Sequence, residues 1–151
     1  MSDVPLKVFL TGASSGIGLA LAEEYVARGA VLGLVAQRAE SLAAFAARFP
    51  HASISIYPAD VRDADALADA AHRFIGEHGA PDIVIANAGV SRGALTGHGD
   101  LDTFRAVMDT NYFGMVATFE SFIESMTRAP RHARGHCERR GRARLAGRRR
   151  V

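Results

Sequence analysis

Thr11-Gly12-Ala13-Ser14-Ser15-Gly16-Ile17-Gly18 follows directly on the apolar run Leu6-Lys7-Val8-Phe9-Leu10 and leads directly into Leu19-Ala20-Leu21-Ala22-Glu23-Glu24-Tyr25-Val26. The three pieces read as a strand, a glycine turn and a helix with nothing between them. In a doubly wound sheet that order aims free backbone N–H groups and the positive end of a helix dipole at one point, where a pyrophosphate can be held. Gly12 and Gly16 can take positive φ and leave no Cβ between backbone and phosphate, while Gly18 lets the helix pack close to the strand. The hydroxyls of Thr11, Ser14 and Ser15 are candidate donors beside them. The turn therefore predicts a dinucleotide site.

Outward from the turn, apolar runs and helical periods alternate, as they do in βαβ units and a parallel sheet. Strands are expected near 6–11, 30–36, 53–57 and 82–87, and helices near 16–28, 39–49, 64–78, 100–109 and 111–127. Asp63 and Asp65 suit the first turn of the third helix. Right-handed crossovers give the strand order 3-2-1-4. Asp82-Ile83-Val84-Ile85-Ala86 is apolar on both faces, the pattern of a strand covered by helices on two sides.

With 151 residues, 48% of them hydrophobic, the chain can build one domain with a real core. The opening Met1-Ser2-Asp3-Val4-Pro5 lacks a basic segment followed by an apolar one, and no stretch approaches the roughly 20 apolar residues of a membrane span. A soluble, cytoplasmic protein is expected. Cys137 is the single cysteine, so an internal disulfide is excluded. The net charge of +2 hides a split: residues 1–127 carry 8 Lys or Arg and 15 acids, a net of −7, and residues 128–151 carry 10 Arg and Glu138 alone, a net of +9. Residues 1–127 are read as the folded domain and 128–151 as a disordered, Arg-rich tail.

The wording Thr-Gly-x-x-x-Gly-Ile-Gly, with Asp60-Val61, Asn87-Ala88-Gly89 and Asn111 in order behind it, resembles the short-chain dehydrogenase/reductase family over about the first 127 residues. The resemblance implies an α/β, Rossmann-type doubly wound parallel sheet, here incomplete. It also implies hydride transfer between a nicotinamide dinucleotide and an alcohol or ketone, and homo-oligomers among intact relatives. It gives cofactor roles to Gly12, Ser14, Ser15, Gly16, Ile17 and Gly18. Asp60, beside Val61, would accept a hydrogen bond from the adenine amino group. Asn87, Ala88 and Gly89 would floor the nicotinamide pocket, with the Asn87 amide tying neighbouring strands together. Asn111 matches the catalytic asparagine that supports a water in a proton relay, and it also reads as the N-cap of the helix through Tyr112, Val116 and Phe119.

Cofactor choice is argued from the end of the second strand, where a carboxylate would bind a ribose 2′-hydroxyl. The chain reads Val35-Ala36-Gln37-Arg38 there, with no acid and a cation able to hold a 2′-phosphate. NADP is therefore expected ahead of NAD.

The family's serine, tyrosine and lysine, which move the proton that accompanies hydride transfer, find no match in these residues. There is no serine beyond Ser125, no tyrosine beyond Tyr112 and no lysine beyond Lys7. Catalytic inactivity is the expectation for this chain. An alternative from another class is a non-catalytic nucleotide-binding module whose basic tail contacts RNA or another polyanion. A metal site at His132, His136 and Cys137 lacks a fourth ligand, and no metal is expected. His98 reads as a surface loop residue.

The tail is best explained as the product of a reading-frame shift in a GC-rich gene, whose out-of-frame codons yield Arg, Ala, Gly and Pro. Permitted codons for Arg131 to Val151, read one base later, give an apolar strand, a serine in the register of Glu138 and a tyrosine in the register of Val151. A shortened sheet would expose the apolar edge at Asp82 to Asn87 and lower solubility. Sequencing the gene from the codon for Met126 onward is expected to show the shifted frame continuing into Ser-x-x-Lys; bases that forbid that frame would refute it.

Overall fold

The computed structural model describes residues 4–91 and 100–128. Four parallel strands, β1 (Lys7–Thr11), β2 (Val31–Ala36), β3 (Ile54–Pro58) and β4 (Ile83–Ala86), form one sheet in the order β3-β2-β1-β4. Lys7 pairs with Val31, Leu32 with Ile54 and Val8 with Ile83 in the register of the three ladders. The fold class and strand order are those expected.

Alternation along the strands divides the core into two layers. Val8, Leu10, Leu32 and Leu34 face α1 (Gly16–Ala27) and α2 (Ala39–Arg48), together with Ala22, Leu42 and Phe45. Phe9, Val35 and Tyr57 face the opposite way, toward α3 (Ala64–His78) and α5 (Gly114–Arg128), where Leu67, Phe74 and Phe122 close over them. The Phe9 ring lies 4.6 Å from that of Phe122 and 5.4 Å from that of Phe74, centre to centre. Gly33 makes room for this group, because a Cβ there would stand 2.5 Å from Phe74 Cδ2 and 2.8 Å from Phe9 Cδ2. Burial pushes the Tyr57 phenol up to about 12, so it stays protonated and donates to Glu77 Oε2 at 2.9 Å.

Helix ends follow local chemistry. Gly29, at φ +69°, stops α1, with Ala30 N–H bonded back to Tyr25 O at 3.0 Å in a left-handed helix cap. Asp63 caps α3 by accepting from Ala66 N–H at 3.0 Å, and Asp65 sits in its first turn as expected.

Three expectations need correction. Helices near 100–109 and 111–127 are one continuous run: α4 (Leu101–Met108), a π-helical turn over Asp109–Phe113 and α5 through Arg128. Asn111 therefore opens no helix, and the N-cap of the run is Asp100, which accepts from Thr103 N–H at 3.1 Å. No glycine or proline stands at 109–113 to end the helix, and one wide turn absorbs the extra residue instead. Strand β4 is half-buried rather than buried, because it is an edge of the described sheet. Arg128, assigned to the tail, is helical and pairs with Glu124 at 2.6 Å.

Residues 129–151 and 92–99, with the tail and His98, lie outside the described residues. Among the described residues, no helix is long and apolar enough to cross a membrane. Gly33→Ala is expected to cost about 1–3 kcal/mol through overpacking against Phe9 and Phe74. The midpoint of urea unfolding reads this directly, and an unchanged midpoint would contradict the packing described.

Candidate functional site

The carboxyl ends of β1, β2 and β4 open into a cleft of about 520 Å³. Its walls include Gly12, Ser14, Ser15 and Ile17 from the β1–α1 turn, Ala36, Gln37 and Arg38 after β2, and Ala59 and Val61 after β3. Asn87, Ala88, Gly89 and Val90 after β4, with Thr110, complete it.

The glycine turn is built by contact as much as by dihedral angle. Gly12 and Gly16 have φ +72° and +57°, the left-handed region foreseen for them. A Cβ on Gly12 would stand 2.7 Å from Ala88 Cα, whereas one on Gly16 meets nothing within 4 Å. At Gly18 a Cβ would fall 2.1 Å from the Gly12 carbonyl oxygen and 2.5 Å from Asn87 Nδ2. Only glycine lets α1 start this close to β1. Gly18 is buried and shapes the turn from behind the wall, whereas Gly16 is exposed and Ile17 is 74% exposed at the mouth.

Asn87 supplies the tie between strands. Its Nδ2 donates to Thr11 O at 3.3 Å and to Gly12 O at 3.2 Å, while the N–H groups of Asn87 and Ala88 both donate to the Thr11 hydroxyl at 3.2 Å. Thr11 is fully buried, so its hydroxyl serves the sheet and not a phosphate, against the expectation. Half-buried Ser14 and exposed Ser15 remain as hydroxyls on the wall, and Ser15 occupies the N-cap of α1 without capping it.

Asn111 sits in the π-helical turn and clamps one peptide. Its Oδ1 accepts from Val90 N–H at 2.8 Å and its Nδ2 donates to Val90 O at 2.9 Å. The extra residue of the wide turn brings this amide to the β4 exit, and Thr110 beside it reaches the cleft wall. Thr110, Val90, Ala36, Gln37 and Ala59 were not singled out from sequence. Those flanking a recognised motif could have been found by extending it one residue; Thr110 had no such signal.

At the β2 end, Arg38 lies on the wall and, among the described residues, is paired with no carboxylate. Asp60 is engaged otherwise. Hydrogen bonds from the Arg62 guanidinium hold its carboxyl down at about 2, so it is ionised throughout the ordinary pH range.

The short chain dehydrogenase family model matches residues 7–136. The chain belongs to that family. An uncharacterized oxidoreductase of Mycobacterium tuberculosis is 33% identical over 122 residues, covering 78% of this chain and 48% of its own length. The crystal structure of a short-chain dehydrogenase from Streptomyces avermitilis superposes with a TM-score of 0.77 at 27% identity, over 83% of this chain and 46% of that one. A gluconate 5-dehydrogenase from Burkholderia cenocepacia, in complex with NADP and tartrate, superposes with a TM-score of 0.73 at 28% identity, over 80% and 48%. The chain thus spans about half the length of the relatives it matches.

Gly18→Ala is expected to push the β1–α1 turn apart, since its Cβ has no room against the Gly12 carbonyl and the Asn87 amide. A drop in thermal midpoint together with altered amide signals for Gly12 and Ala88 checks this; unchanged spectra would contradict it.

Proposed function

We propose that residues 1–127 form the cofactor half of a short-chain dehydrogenase/reductase of the Thr-Gly-x-x-x-Gly-Ile-Gly type and bind NADP(H) in this cleft. The observation that carries the reading is Arg38: a guanidinium on the wall at the end of β2, paired with no carboxylate among the described residues, and with no acid in the sequence where a 2′-hydroxyl would be received. The glycine turn fits a pyrophosphate, because Gly12 allows close backbone approach and Gly16 faces open space with no Cβ between. The gluconate 5-dehydrogenase solved with NADP supports the same cofactor by likeness.

In this arrangement the β1–α1 turn, with Ser14 and Ser15, holds the pyrophosphate, and Arg38 holds the 2′-phosphate. The wall at Ala59 and Val61 faces the adenine. Asn87, Ala88 and Gly89 form the nicotinamide floor, fixed by the hydrogen bonds of Asn87 to β1. The cofactor, when bound, supplies or accepts the hydride for an alcohol or ketone substrate.

Asn111 keeps the floor in place through Val90, which engages one lone pair and one N–H of its amide and leaves the second of each for the water of a proton relay. Proton transfer needs an acid that these 151 residues do not offer in the family's pattern, so the chain by itself binds cofactor without turnover. Oligomerisation is proposed through the exposed apolar side of α4 and α5.

Titration of the chain with NADPH, followed by nucleotide fluorescence, is expected to show saturable binding without ketone reduction. Arg38→Ala should weaken NADPH by about tenfold or more, the worth of a charge-assisted hydrogen bond, and leave NADH nearly unchanged. No saturable binding would overturn the reading, and an equal loss for both nucleotides would overturn the role of Arg38.

A further inference from the structure

The sheet has a second cavity, of about 520 Å³, at its other end. It opens between the amino ends of the strands: Pro5 stands before β1, Val31 begins β2 and Ser53 precedes β3. Val26, Ala30 and Phe49 give it an apolar floor continuous with the α1–α2 side of the core. Gly29 leaves one corner open, since a Cβ there would meet nothing within 4 Å. A volume of this order suits a small organic molecule held mostly by apolar wall. The six residues of β2 separate the two openings by about 20 Å, so a ligand here does not reach the cleft at the carboxyl ends.

The polar side chains on the wall are Arg48, His51 and Ser53, each able to donate a hydrogen bond, and no carboxylate stands among them. Arg48 is the last residue of α2, where a cation suits the helix dipole. Its guanidinium carbon lies 5.2 Å from the centre of the Phe49 ring and 5.8 Å from that of Phe45, and one terminal nitrogen donates to Glu23 Oε1 at 2.8 Å. These contacts orient the guanidinium fork and leave most of its N–H donors for a ligand. The side chains of the Arg48–Glu23 pair are 56% and 42% exposed, so the pair holds weakly and an incoming carboxylate can share the fork with Glu23.

We propose that this cavity is a second ligand site, for a small monocarboxylic acid with an aromatic or aliphatic body. The body packs on Val26, Ala30 and Phe49, and the carboxylate is received by Arg48 with His51 and Ser53 beside it. The wall selects this class: a cationic ligand would meet the guanidinium, and a purely apolar one would leave the donors unused. The inference goes beyond the cofactor reading and does not depend on it, because the two sites share no residue.

Fluorine NMR of 4-fluorobenzoate, titrated with the full chain, tests it. The wild type is expected to broaden and shift the signal with a dissociation constant of about 1 mM, in the range for a ligand of about ten non-hydrogen atoms, and saturating NADPH should leave it in place. Arg48→Gln should weaken the acid by about tenfold and leave the neutral 4-fluorobenzamide unmoved, as expected for the loss of a hydrogen bond between charged groups. Glu23→Gln, which removes the competing carboxylate, should tighten the acid by about threefold. Ala52→Phe, which fills the cavity, should abolish binding; if that variant does not fold, Arg48→Gln decides alone. Absence of binding, an affinity unmoved by Arg48→Gln, or displacement of the acid by NADPH, which would put it in the cofactor cleft, overturns the proposal. It is equally overturned if the acid binds only after residues 1–3 are removed, or if Ala52→Phe breaks a dimer, since the cavity then belongs to the chain's own amino terminus or to a second copy.

Discussion

The hydrogen bonding of Asn87 and Ala88 onto Thr11 and Gly12 is the constraint on which the cleft depends. One buried hydroxyl receives two backbone N–H groups from the end of β4, and the Asn87 amide donates two further hydrogen bonds to the carbonyls of Thr11 and Gly12. Each group is therefore satisfied by the other strand, where an unpaired polar atom would be costly. Glycine at 12 and 18 follows from this, because the Asn87 amide and the Gly12 carbonyl occupy the space a side chain would need. The direction of the turn, the start of α1 and the floor formed by Ala88 and Gly89 all inherit their positions from the same few atoms.

How much of this was legible in sequence depended on how local the physics was. The glycine turn, the strand order and the acidic first turn of α3 are set by short stretches and by alternation, and they stand as read. The π-helical turn was not legible: a one-residue slip in a helix leaves the apolar period nearly intact, so Asn111 looked like a beginning when it lies inside. Thr11 was misread because its hydroxyl belongs to a strand 76 residues further on. Asp60 matched its motif in identity, but sequence could not show Arg62 folding back onto it.

The helical run from Leu101 to Arg128 has two unlike faces. Thr118 and Phe122 are buried against the sheet layer, and Gly114 lets the helix touch Val61, whose Cγ2 would lie 2.7 Å from an added Cβ. Phe104, Met108, Tyr112, Phe119 and Ile123 are each more than 40% exposed and recur at helical spacing on the other side. An apolar band of this length on a charged chain is the feature on which the proposed association rests. It lies on the element that clamps Val90, so whatever covers it bears on the cleft through Asn111.

The distance along the chain between Thr11 and Asn87 also has a meaning in time. Strand β1 and the glycine turn are made early, but their partner at β4 arrives about 76 residues later, and the Asn111 clamp on Val90 later still. At roughly 5–20 residues per second of synthesis, the glycine turn waits several seconds for its partners. During that interval β1 can pair only with β2, and Thr11 must satisfy its hydroxyl with water. The cleft is thus the last part of the sheet to close, and the growing chain passes through a stage in which its most glycine-rich segment has neither floor nor clamp.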